Sequence, residues 1–210
     1  MMKIIKLISY FLSYFINYSY FRYYKFFRNN IYSYSVKRNL RSCGNNFYVE
    51  YPIFLLGGKH ISIGDDFYCF ERLRIEAYEK HNHTRFNPEI ILGNNVSINY
   101  DCHIGCINRI VIGDNVLIAS RVFITDHYHG YAESSQLYLP PNKRILVSKG
   151  PVIIENNVWI GEGVCIMPNV TIGANSIIGA NSVVTKSFPP NSIIGGVPAK
   201  LIKSISTENE

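Results

Sequence analysis

The hydrophobic residues of this chain repeat every six positions, most regularly over residues 154–184. The aliphatic residues of this stretch are Ile154, Ile160, Ile166, Ile172, Ile178 and Val184, and the small or β-branched fifth residues of the hexads are Val158, Val164, Val170, Ser176 and Ser182. A period of six fits neither an amphipathic helix nor a strand whose side chains alternate between two faces. It predicts a coil of three short, flat strands per turn, whose turns stack about 4.8 Å apart.

The same period occurs earlier in the chain, with interruptions. It holds at Leu92, Ile98 and Ile104, shifts by two residues around Asn108 and Arg109, and resumes at Ile112, Ile118 and Ile124. Residues 130–150 then lack the period and contain Pro140, Pro141, Lys143, Arg144 and Lys149. A long non-periodic segment inside a repeat domain indicates a functional loop, and we expect it to be extruded from the coil.

Weaker hexads around Ile63, Cys69 and Ile75 predict that the coil begins near residue 57. Residues 78–88, which include His81 and His83, interrupt the period and predict a second, smaller excursion. The expected organisation is an N-terminal extension over residues 1–56, partly helical, a coil domain over 57–203 and a short tail over 204–210.

Composition is compatible with one packed domain and an appendage. The chain has 210 residues, of which 47% are hydrophobic and 17% charged. Its five cysteines, Cys43, Cys69, Cys102, Cys106 and Cys165, form no CxxC pair and no cluster typical of disulfides. We therefore expect buried thiols and a reducing, cytoplasmic location.

The net charge of +6 is concentrated at the N-terminus. Residues 1–49 carry eight Lys or Arg and no Asp or Glu, together with nine of the 16 Tyr and six of the 12 Phe, whereas the rest has 13 basic and 15 acidic residues. The apolar stretch 4–16 is too short and too interrupted to span a membrane. Two interpretations stay open and are compatible: packing of this region on the first coil, and contact of residues 1–41 with an anionic membrane surface. No nucleic-acid recognition motif accompanies the charge, so no nucleic-acid partner is expected.

Three segments together resemble the hexapeptide-repeat acyltransferases, which fold as left-handed parallel β-helices. They are IGDNVLIASRVFITDHYHG, NNVWIGEGVCIMPNVTIGANSIIGANSVVTK and GGVPAKLIK, and the resemblance covers roughly residues 57–203. Within the family, the chain is similar to the O-acetyltransferases of O-antigen and capsule sugars. The resemblance implies an all-β, left-handed homotrimer that transfers acetyl from acetyl-CoA, the donor substrate, to a sugar hydroxyl, with active sites between subunits. No metal is expected.

A hydroxyl must lose its proton as it attacks a thioester, and an imidazole is the usual general base for that task. His127 and His129 stand where the coil gives way to the loop. In the galactoside and maltose acetyltransferases that this region resembles, the catalytic histidine occupies the sixth place of its hexad, which is His129 here. His129 is the predicted base and His127 the alternative. Asp126 is expected to orient an imidazole or to contact the acceptor. No Ser or Cys has the surroundings of a nucleophile, so we expect direct transfer.

The resemblance also assigns binding residues. Trp159, the single Trp of the chain, is expected to line the active cleft, and Asn108 and Arg109 are expected to face the acceptor. Acetyl-CoA is expected to contact Ala180, Thr185, Lys186, Lys200 and Lys203, where lysine charge suits its phosphates. Glu162 departs from the family pattern, in which some relatives have Ser.

Three alternatives remain. The most serious is N-acetylation of an amino-sugar nucleotide, because an amine acceptor can use the same histidine. A metal-dependent hydratase of the γ-carbonic-anhydrase type would use His103, His127 and His129 across a subunit interface. A non-catalytic trimer that presents its aromatic N-terminus to a membrane is the third.

Overall fold

A computed structural model describes residues 2–131, 133, 136 and 138–205. Two helices begin the chain: α1 (Met2–Ser13) and α2 (Tyr18–Lys37). The predicted tail lies largely outside the described residues. The described part then continues as six stacked coils of three short strands each, followed by a C-terminal strand pair.

The strands follow one another in chain order. The first coil contains β1 (Ser42–Cys43), β2 (Tyr48–Val49) and β3 (Phe54–Leu56), and the second β4 (Ile61–Ile63), β5 (Tyr68–Cys69) and β6 (Arg74–Ala77). A hairpin of β7 (Lys80–His81) and β8 (Thr84–Arg85) precedes the third coil, β9 (Glu89–Leu92), β10 (Ser97–Ile98) and β11 (His103–Cys106). The fourth coil contains β12 (Arg109–Ile112), β13 (Leu117–Ile118) and β14 (Phe123–Thr125), and a hairpin of β15 (Tyr128–His129) and β16 (Leu146–Val147) follows it. The fifth contains β17 (Val152–Ile154), β18 (Trp159–Ile160) and β19 (Cys165–Ile166), the sixth β20 (Thr171–Ile172), β21 (Ile177–Ile178) and β22 (Val183–Val184), and β23 (Ser192–Gly195) and β24 (Lys200–Ser204) end the fold.

Strands from successive coils pair in parallel and form three sheets. The first sheet contains β1, β4, β9, β12, β17 and β20, the second begins with β2, β5, β10, β13, β18 and β21, and the third contains β3, β6, β11, β14, β19 and β22. The aliphatic residue of each hexad stacks on its counterpart, as Ile110 does on Ile90 and Val152. These residues are fully buried and form one continuous core. The hexad prediction is confirmed as three parallel sheets in a repeating register.

Asparagines support one edge of the coil. Asn115, Asn157 and Asn175 adopt left-handed backbone conformations, which Asn tolerates better than most residues. The Asn115 side chain donates to Asn157 at 3.1 Å, and Asn157 donates to Asn175 at 3.0 Å. Each corner thus satisfies polar groups of the next coil.

The coil begins earlier than the expected start near residue 57. Cys43, Val49 and Leu55 already stand six apart and pair in register with Ile63, Cys69 and Ile75 of the second coil. The first coil therefore occupies residues 42–56, within the segment expected to be the N-terminal extension. The inward residues of this coil are chemically mixed, which hides their period in the sequence.

The irregular insertions share one edge of the coil, which we call the insertion edge: the corner between the third and the first sheet. Residues 57–60, 78–88, 107–108 and the described residues between 126 and 151 lie there, after a strand of the third sheet and before a strand of the first. The two hairpins contact each other, because the Asn82 amide donates to the Asn142 carbonyl at 3.3 Å. Each of the two segments predicted as excursions coincides with a hairpin, and several candidate site residues lie beside these hairpins.

Candidate active site

An imidazole–carboxylate pair lies at the insertion edge, directly after β14. Nδ1 of His127 is 3.0 Å from Oδ1 of Asp126. Asp126 is fully buried, whereas the His127 side chain keeps 10% exposure. An ionised carboxylate only accepts hydrogen bonds, so the shared proton belongs to Nδ1 and the lone pair of Nε2 is free. This is the arrangement of a general base with its orienting group.

Neighbouring groups hold Asp126 in its ionised form. The backbone amides of Ile107 and Asn108 donate to its carboxylate at 2.9 Å and 2.7 Å, and the Cys106 thiol donates at 3.2 Å. Burial by itself raises the pKa of Asp126, but the hydrogen bonds from His127, Ile107, Asn108 and Cys106 outweigh it and lower the pKa below the usual range. The two-residue shift in the hexads at 107–108 thus has a structural purpose, since it turns two amides towards this carboxylate.

A second imidazole–carboxylate pair lies on the third sheet, with Glu76 on the second coil and His103 on the third. Nε2 of His103 is 2.9 Å from Oε2 of Glu76, and Nε of Arg74 contacts the same oxygen at 2.6 Å. Burial opposes the charge of Glu76, but bonds from Arg74, Tyr78 and His103 prevail and lower its pKa. The pKa of His103 is also lowered, first by burial. The imidazole is therefore neutral near pH 7.

The two pairs face each other across Gly105. A Cβ atom on Gly105 would lie 3.4 Å from Cε1 of His127 and 3.5 Å from Nε2 of His103. The Tyr78 ring closes one side, with its centroid 5.9 Å from that of His127. We call the space between the two imidazoles the Gly105 groove. Gly105 forms its floor and contributes no side chain, and the two imidazoles form its walls.

His129 lies elsewhere, on the second hairpin. Its ring faces His81, with centroids 5.7 Å apart, and it lines a cavity with Tyr128, Tyr131, Arg144 and Lys149. Partial burial and the nearby His127 and His81 lower its pKa. Asp126, which was expected to orient one of the two imidazoles, forms its hydrogen bond with His127 and not with His129. The alternative candidate for the base therefore has the better geometry.

The predicted acceptor residues are divided between two surroundings. Asn108 uses its backbone amide on Asp126, and its side-chain amide donates to Oγ of Ser148 at 3.3 Å. Arg109 lies on β12 in the first sheet, 3.5 Å from Glu89, and lines a groove with Arg41, Lys59 and His60. Asn108 thus belongs to the site at the insertion edge, whereas Arg109 lies around the corner from it.

Trp159 lies on the second sheet, half exposed, and not beside His127. It is in register with Ile177, Ile177 with Ile193, and Ile193 with Lys203, so a row of outward residues crosses four strands. At about 4.8 Å per step, the row is about 14 Å long. It has an aromatic ring at one end and an ammonium group at the other.

The remaining predicted cofactor residues lie near the ends of these late strands, and all are exposed. Ala180 follows β21 and Lys200 begins β24, both in the second sheet, whereas Thr185 and Lys186 follow β22 in the third. Nζ of Lys186 lies 5.7 Å from the Phe188 ring centroid. Glu162 forms an ion pair with Arg121.

The sequence pattern does not identify Glu76 or Tyr78 as site residues, and it suggests His103 only as a metal ligand. Their positions close to the interruptions of the hexad pattern at residues 78–88 and 107–108 are the signal that marks them. Across residues 2–131, 133, 136 and 138–205, no three or more His, Cys, Asp or Glu side chains are arranged to hold a metal ion.

Comparison with known proteins agrees with this architecture. Residues 151–186 match the family model described as bacterial transferase hexapeptide (six repeats). The chain is 37% identical over 166 residues to the Escherichia coli (strain K12) protein named "Putative lipopolysaccharide biosynthesis O-acetyl transferase WbbJ", covering 77% of this chain and 81% of that protein. It is 34% identical over 179 residues to the galactoside O-acetyltransferase of the same strain, covering 83% and 69%.

Solved structures show the same fold. A galactoside acetyltransferase in complex with coenzyme A superposes with a TM-score of 0.52 at 34% identity, over 81% of this chain and 68% of that one. An N-acyltransferase from Bacillus cereus, AntD, gives a TM-score of 0.66 at 23% identity, over 81% and 87%. The chain therefore belongs to the hexapeptide-repeat acetyltransferase family. It is an acetyltransferase that uses acetyl-CoA as its donor.

Proposed function

We propose that this protein is an O-acetyltransferase that transfers acetyl from acetyl-CoA to a sugar hydroxyl of a bacterial surface glycan, with His127 as the general base. The observation that carries the proposal is the Asp126–His127 pair at the opening of the Gly105 groove. The two Escherichia coli relatives support the class of acceptor, since one is named for lipopolysaccharide biosynthesis and the other for galactosides.

The chemistry follows from the protonation of this pair. Nε2 of His127 takes the proton of the acceptor hydroxyl as its oxygen attacks the thioester carbonyl. The new carbon–oxygen bond forms, the carbon–sulfur bond breaks, and the imidazolium returns the proton to the departing thiolate of CoA. Asp126 keeps the imidazole in the required tautomer and stabilises its positive charge in the transition state. No covalent intermediate on the protein is required.

The donor is proposed to lie along the second sheet. Trp159 would contact the arm that carries the thioester, Ala180 would offer its backbone, and Lys200 and Lys203 would meet the phosphates, with Thr185 and Lys186 near the adjoining corner. The row from Trp159 to Lys203 supports this arrangement because it combines an apolar surface with terminal cations.

We further propose that the protein is a homotrimer of left-handed β-helices. In a single chain, Trp159 lies on the second sheet, whereas His127 lies at the corner between the third and the first. A site that uses both residues therefore needs a second copy, whose donor row would face the insertion edge of the first.

The test is acetyl-CoA turnover, measured as release of free thiol with methyl glycosides of galactose, glucose and mannose and with an amino sugar. His127→Ala is expected to lower kcat about 10²- to 10⁴-fold, the range of a lost general base. His129→Ala should retain most of kcat, and His83→Ala, at an exposed position on the first hairpin, is the matched control. Loss confined to His129→Ala would return the base to His129. Turnover of the amine alone would make the protein an N-acetyltransferase, and failure to bind CoA would overturn the donor assignment.

The N-terminal helices are proposed to hold the enzyme against the anionic cytoplasmic leaflet of the membrane. None of the residues of α1 is buried. At helical spacing, Ile4, Leu7, Ile8 and Phe11 share one face. Lys6, Ser9 and Ser13 share the opposite face, and Lys3 lies at the border between the two. An apolar face with flanking lysines suits a helix that lies in the interface of an anionic bilayer.

The second helix links α1 to the coil. Its residues Asn29, Ser33 and Val36 are buried, the Asn29 amide donates to the Tyr48 hydroxyl at 3.2 Å, and the Val49 amide donates to Oγ of Ser33 at 2.9 Å. The expected packing of this region on the first coil is therefore found for the C-terminal half of α2, which leaves α1 free for a surface. Among the described residues, neither helix combines the length and apolar content needed to cross a bilayer.

Vesicle flotation of the full chain tests this placement. Binding to phosphatidylglycerol vesicles, weakened by salt and weak on phosphatidylcholine, is expected. Leu7→Glu on the apolar face should lower the partition coefficient about tenfold or more, because it removes a buried Leu and adds a charge. Ser9→Glu adds the same charge on the polar face and should change it about threefold at most. No flotation, or equal loss in both variants, would refute the placement.

A further inference from the structure

We propose that the polar groove beside Arg109 binds a phosphate or diphosphate group that links the acceptor sugar to a carrier, so that the acceptor is a carrier-linked sugar. This inference rests on the proposed function and narrows its acceptor to one chemical class. The groove has a volume of about 570 Å³, and its cationic side chains are Arg41, Lys59 and Arg109. We call it the Arg109 groove.

The Arg109 groove is continuous with the site of the proposed base. Asn108 lines the groove, and its backbone amide donates to Asp126 at 2.7 Å. Asp126 in turn bonds His127 at 3.0 Å, so a single residue joins the wall of the groove to the imidazole–carboxylate pair. A sugar bound at His127 therefore lies next to the groove, and a substituent on that sugar can enter it.

The groove runs along the axis of the coil, away from the base. Each of the first four coils contributes a residue: Arg109 begins β12 on the fourth, Glu89 begins β9 on the third, Lys59 precedes β4 on the second, and Arg41 precedes β1 on the first. At about 4.8 Å per coil, these residues span about 14 Å. An acidic group on the sugar ring itself would stay beside His127, whereas a groove of this length suits an extended group attached to the sugar.

The charges of the groove favour an anion. Glu89 lies 3.3 Å from Arg41 and 3.5 Å from Arg109, and Glu79 lies 2.7 Å from Lys59. The three cationic side chains therefore exceed the two carboxylates by one charge. One carboxylate accepts about four hydrogen bonds, fewer than the N–H groups of two guanidiniums can donate. Glu89 thus orients both arginines without saturating them.

Two guanidiniums at one point suit phosphate in particular. Arg109 reaches Glu89 from the fourth coil and Arg41 reaches it from the first, so the two planar groups lie on the same carboxylate. A planar N–H fork matches two oxygens of a phosphate at once, and a lysine adds a compact charge. Both arginine side chains are more than half exposed, so a ligand can reach them.

Two kinds of carrier place a diphosphate next to a sugar: a nucleoside and a polyprenyl lipid. The experiment therefore compares one hexose in four forms, namely the methyl hexoside with the highest turnover, its uridine diphosphate and farnesyl diphosphate counterparts, and the corresponding methyl hexuronide. Thiol release gives kcat/KM for each form. In wild type, one or both diphosphate forms should exceed the methyl hexoside about 10- to 100-fold, the range for one charge-assisted hydrogen bond. The preferred form identifies the carrier.

Arginine variants test whether the groove causes this preference. Arg41→Gln and Arg109→Gln keep a hydrogen-bond donor but remove the charge, and each should lower the ratio of kcat/KM between the diphosphate form and the methyl hexoside about tenfold. Arg72→Gln is the matched control, because Arg72 is an exposed arginine paired with Asp101 at the corner between the second and the third sheet. Its ratio should stay that of wild type. The ratio is taken within one variant, so a general loss of activity cancels.

Calorimetry with inorganic pyrophosphate tests the groove without turnover. The protein is first saturated with CoA, so that the proposed donor row is filled. Pyrophosphate should bind wild type and Arg72→Gln with the same affinity, and it should bind Arg109→Gln about tenfold more weakly. Absence of binding, or equal affinity for all three proteins, would overturn the inference.

The remaining results separate this inference from the proposed function. Equal kcat/KM for the methyl and both diphosphate forms, or a preference that both arginine variants retain, would overturn the inference and leave the proposed function in place. An arginine-dependent preference for the hexuronide would overturn it too, since the recognised anion would be a carboxylate of the sugar. If pyrophosphate binding depends on Arg109 but no form of the sugar is acetylated, the proposed function fails, and the acceptor inferred here fails with it.

Discussion

Asp126→Asn is expected to remove most of the turnover while leaving CoA binding intact. Four groups point donors at the two oxygens of Asp126: His127 at 3.0 Å, Ile107 at 2.9 Å, Asn108 at 2.7 Å and the Cys106 thiol at 3.2 Å. An amide has only one oxygen to offer. The substitution therefore keeps the shape of the side chain and places an additional donor among existing donors.

The expected decrease in kcat depends on which carboxylate oxygen of Asp126 is replaced by the NH₂ group. Asn108 and Cys106 both donate to Oδ2, so the amide oxygen is expected to take that position and the NH₂ group to face Nδ1 of His127. The imidazole must then accept at Nδ1 and carry its proton on Nε2. It loses the lone pair that takes the proton of the hydroxyl, and kcat should fall about 10²- to 10⁴-fold.

Stability should fall as well, but modestly. A buried donor left without a full partner costs about 1–3 kcal/mol, so urea unfolding should show a decrease of that size. The matched control is Asp66→Asn, the same change of charge at an exposed corner with a left-handed backbone, where Asn is well tolerated. Its free energy of unfolding should change by about 0.5 kcal/mol or less.

The assay measures thiol release over time, with CoA affinity from calorimetry. A variant that keeps more than about one third of wild-type kcat would refute the tautomer argument. If CoA affinity falls together with kcat, the substitution has distorted the coil, and the loss of turnover does not come from the wrong tautomer of His127.

Three further outcomes are expected. Because the folded pKa of Asp126 lies below its usual value of 3.8, the stability advantage of wild type over Asp126→Asn is present above that pH and should shrink as the pH falls below it, which urea unfolding at pH 5 and pH 3 would measure. Ile160→Ala, at a fully buried hexad position, should cost about 2–5 kcal/mol, and Ile177→Ala on the outer face less; equal losses would contradict the inward–outward assignment. Burial raises the pKa of the Cys102 thiol to about 11, so iodoacetamide at pH 8 should leave it unmodified in the native protein by mass spectrometry, and rapid labelling would indicate local opening.

Much of the fold could be predicted from the sequence because the inward positions of the coil accept only a narrow set of side chains. Ile154, Ile160 and Ile166 each close one strand of a turn, so their spacing reports the turn directly. Cys43, Val49 and Leu55 have the same role in the first coil. Because these three residue types differ, their six-residue spacing is hard to distinguish from a chance pattern. The start of the coil was misplaced for that reason.

The site was only partly predictable because its contacts join different coils. Glu76 and His103 are 27 positions apart, and only the parallel register makes their strands neighbours. The choice between His127 and His129 depended on how the chain leaves β14. The backbone amides of Ile107 and Asn108 hold the Asp126 carboxylate beside His127, and a backbone amide has no signature in a sequence.

The insertion edge separates two kinds of change in this chain. The aliphatic column and the asparagine contacts set the stacking of the coils, whereas both hairpins, and His127 beside the second of them, lie at the insertion edge. Replacing one hairpin with a longer or shorter one would change the surroundings of the candidate site residues. The pairing between successive coils would stay the same. A change of acceptor therefore requires no change in the aliphatic core. The residues of the core and the residues of the hairpins can evolve at different rates.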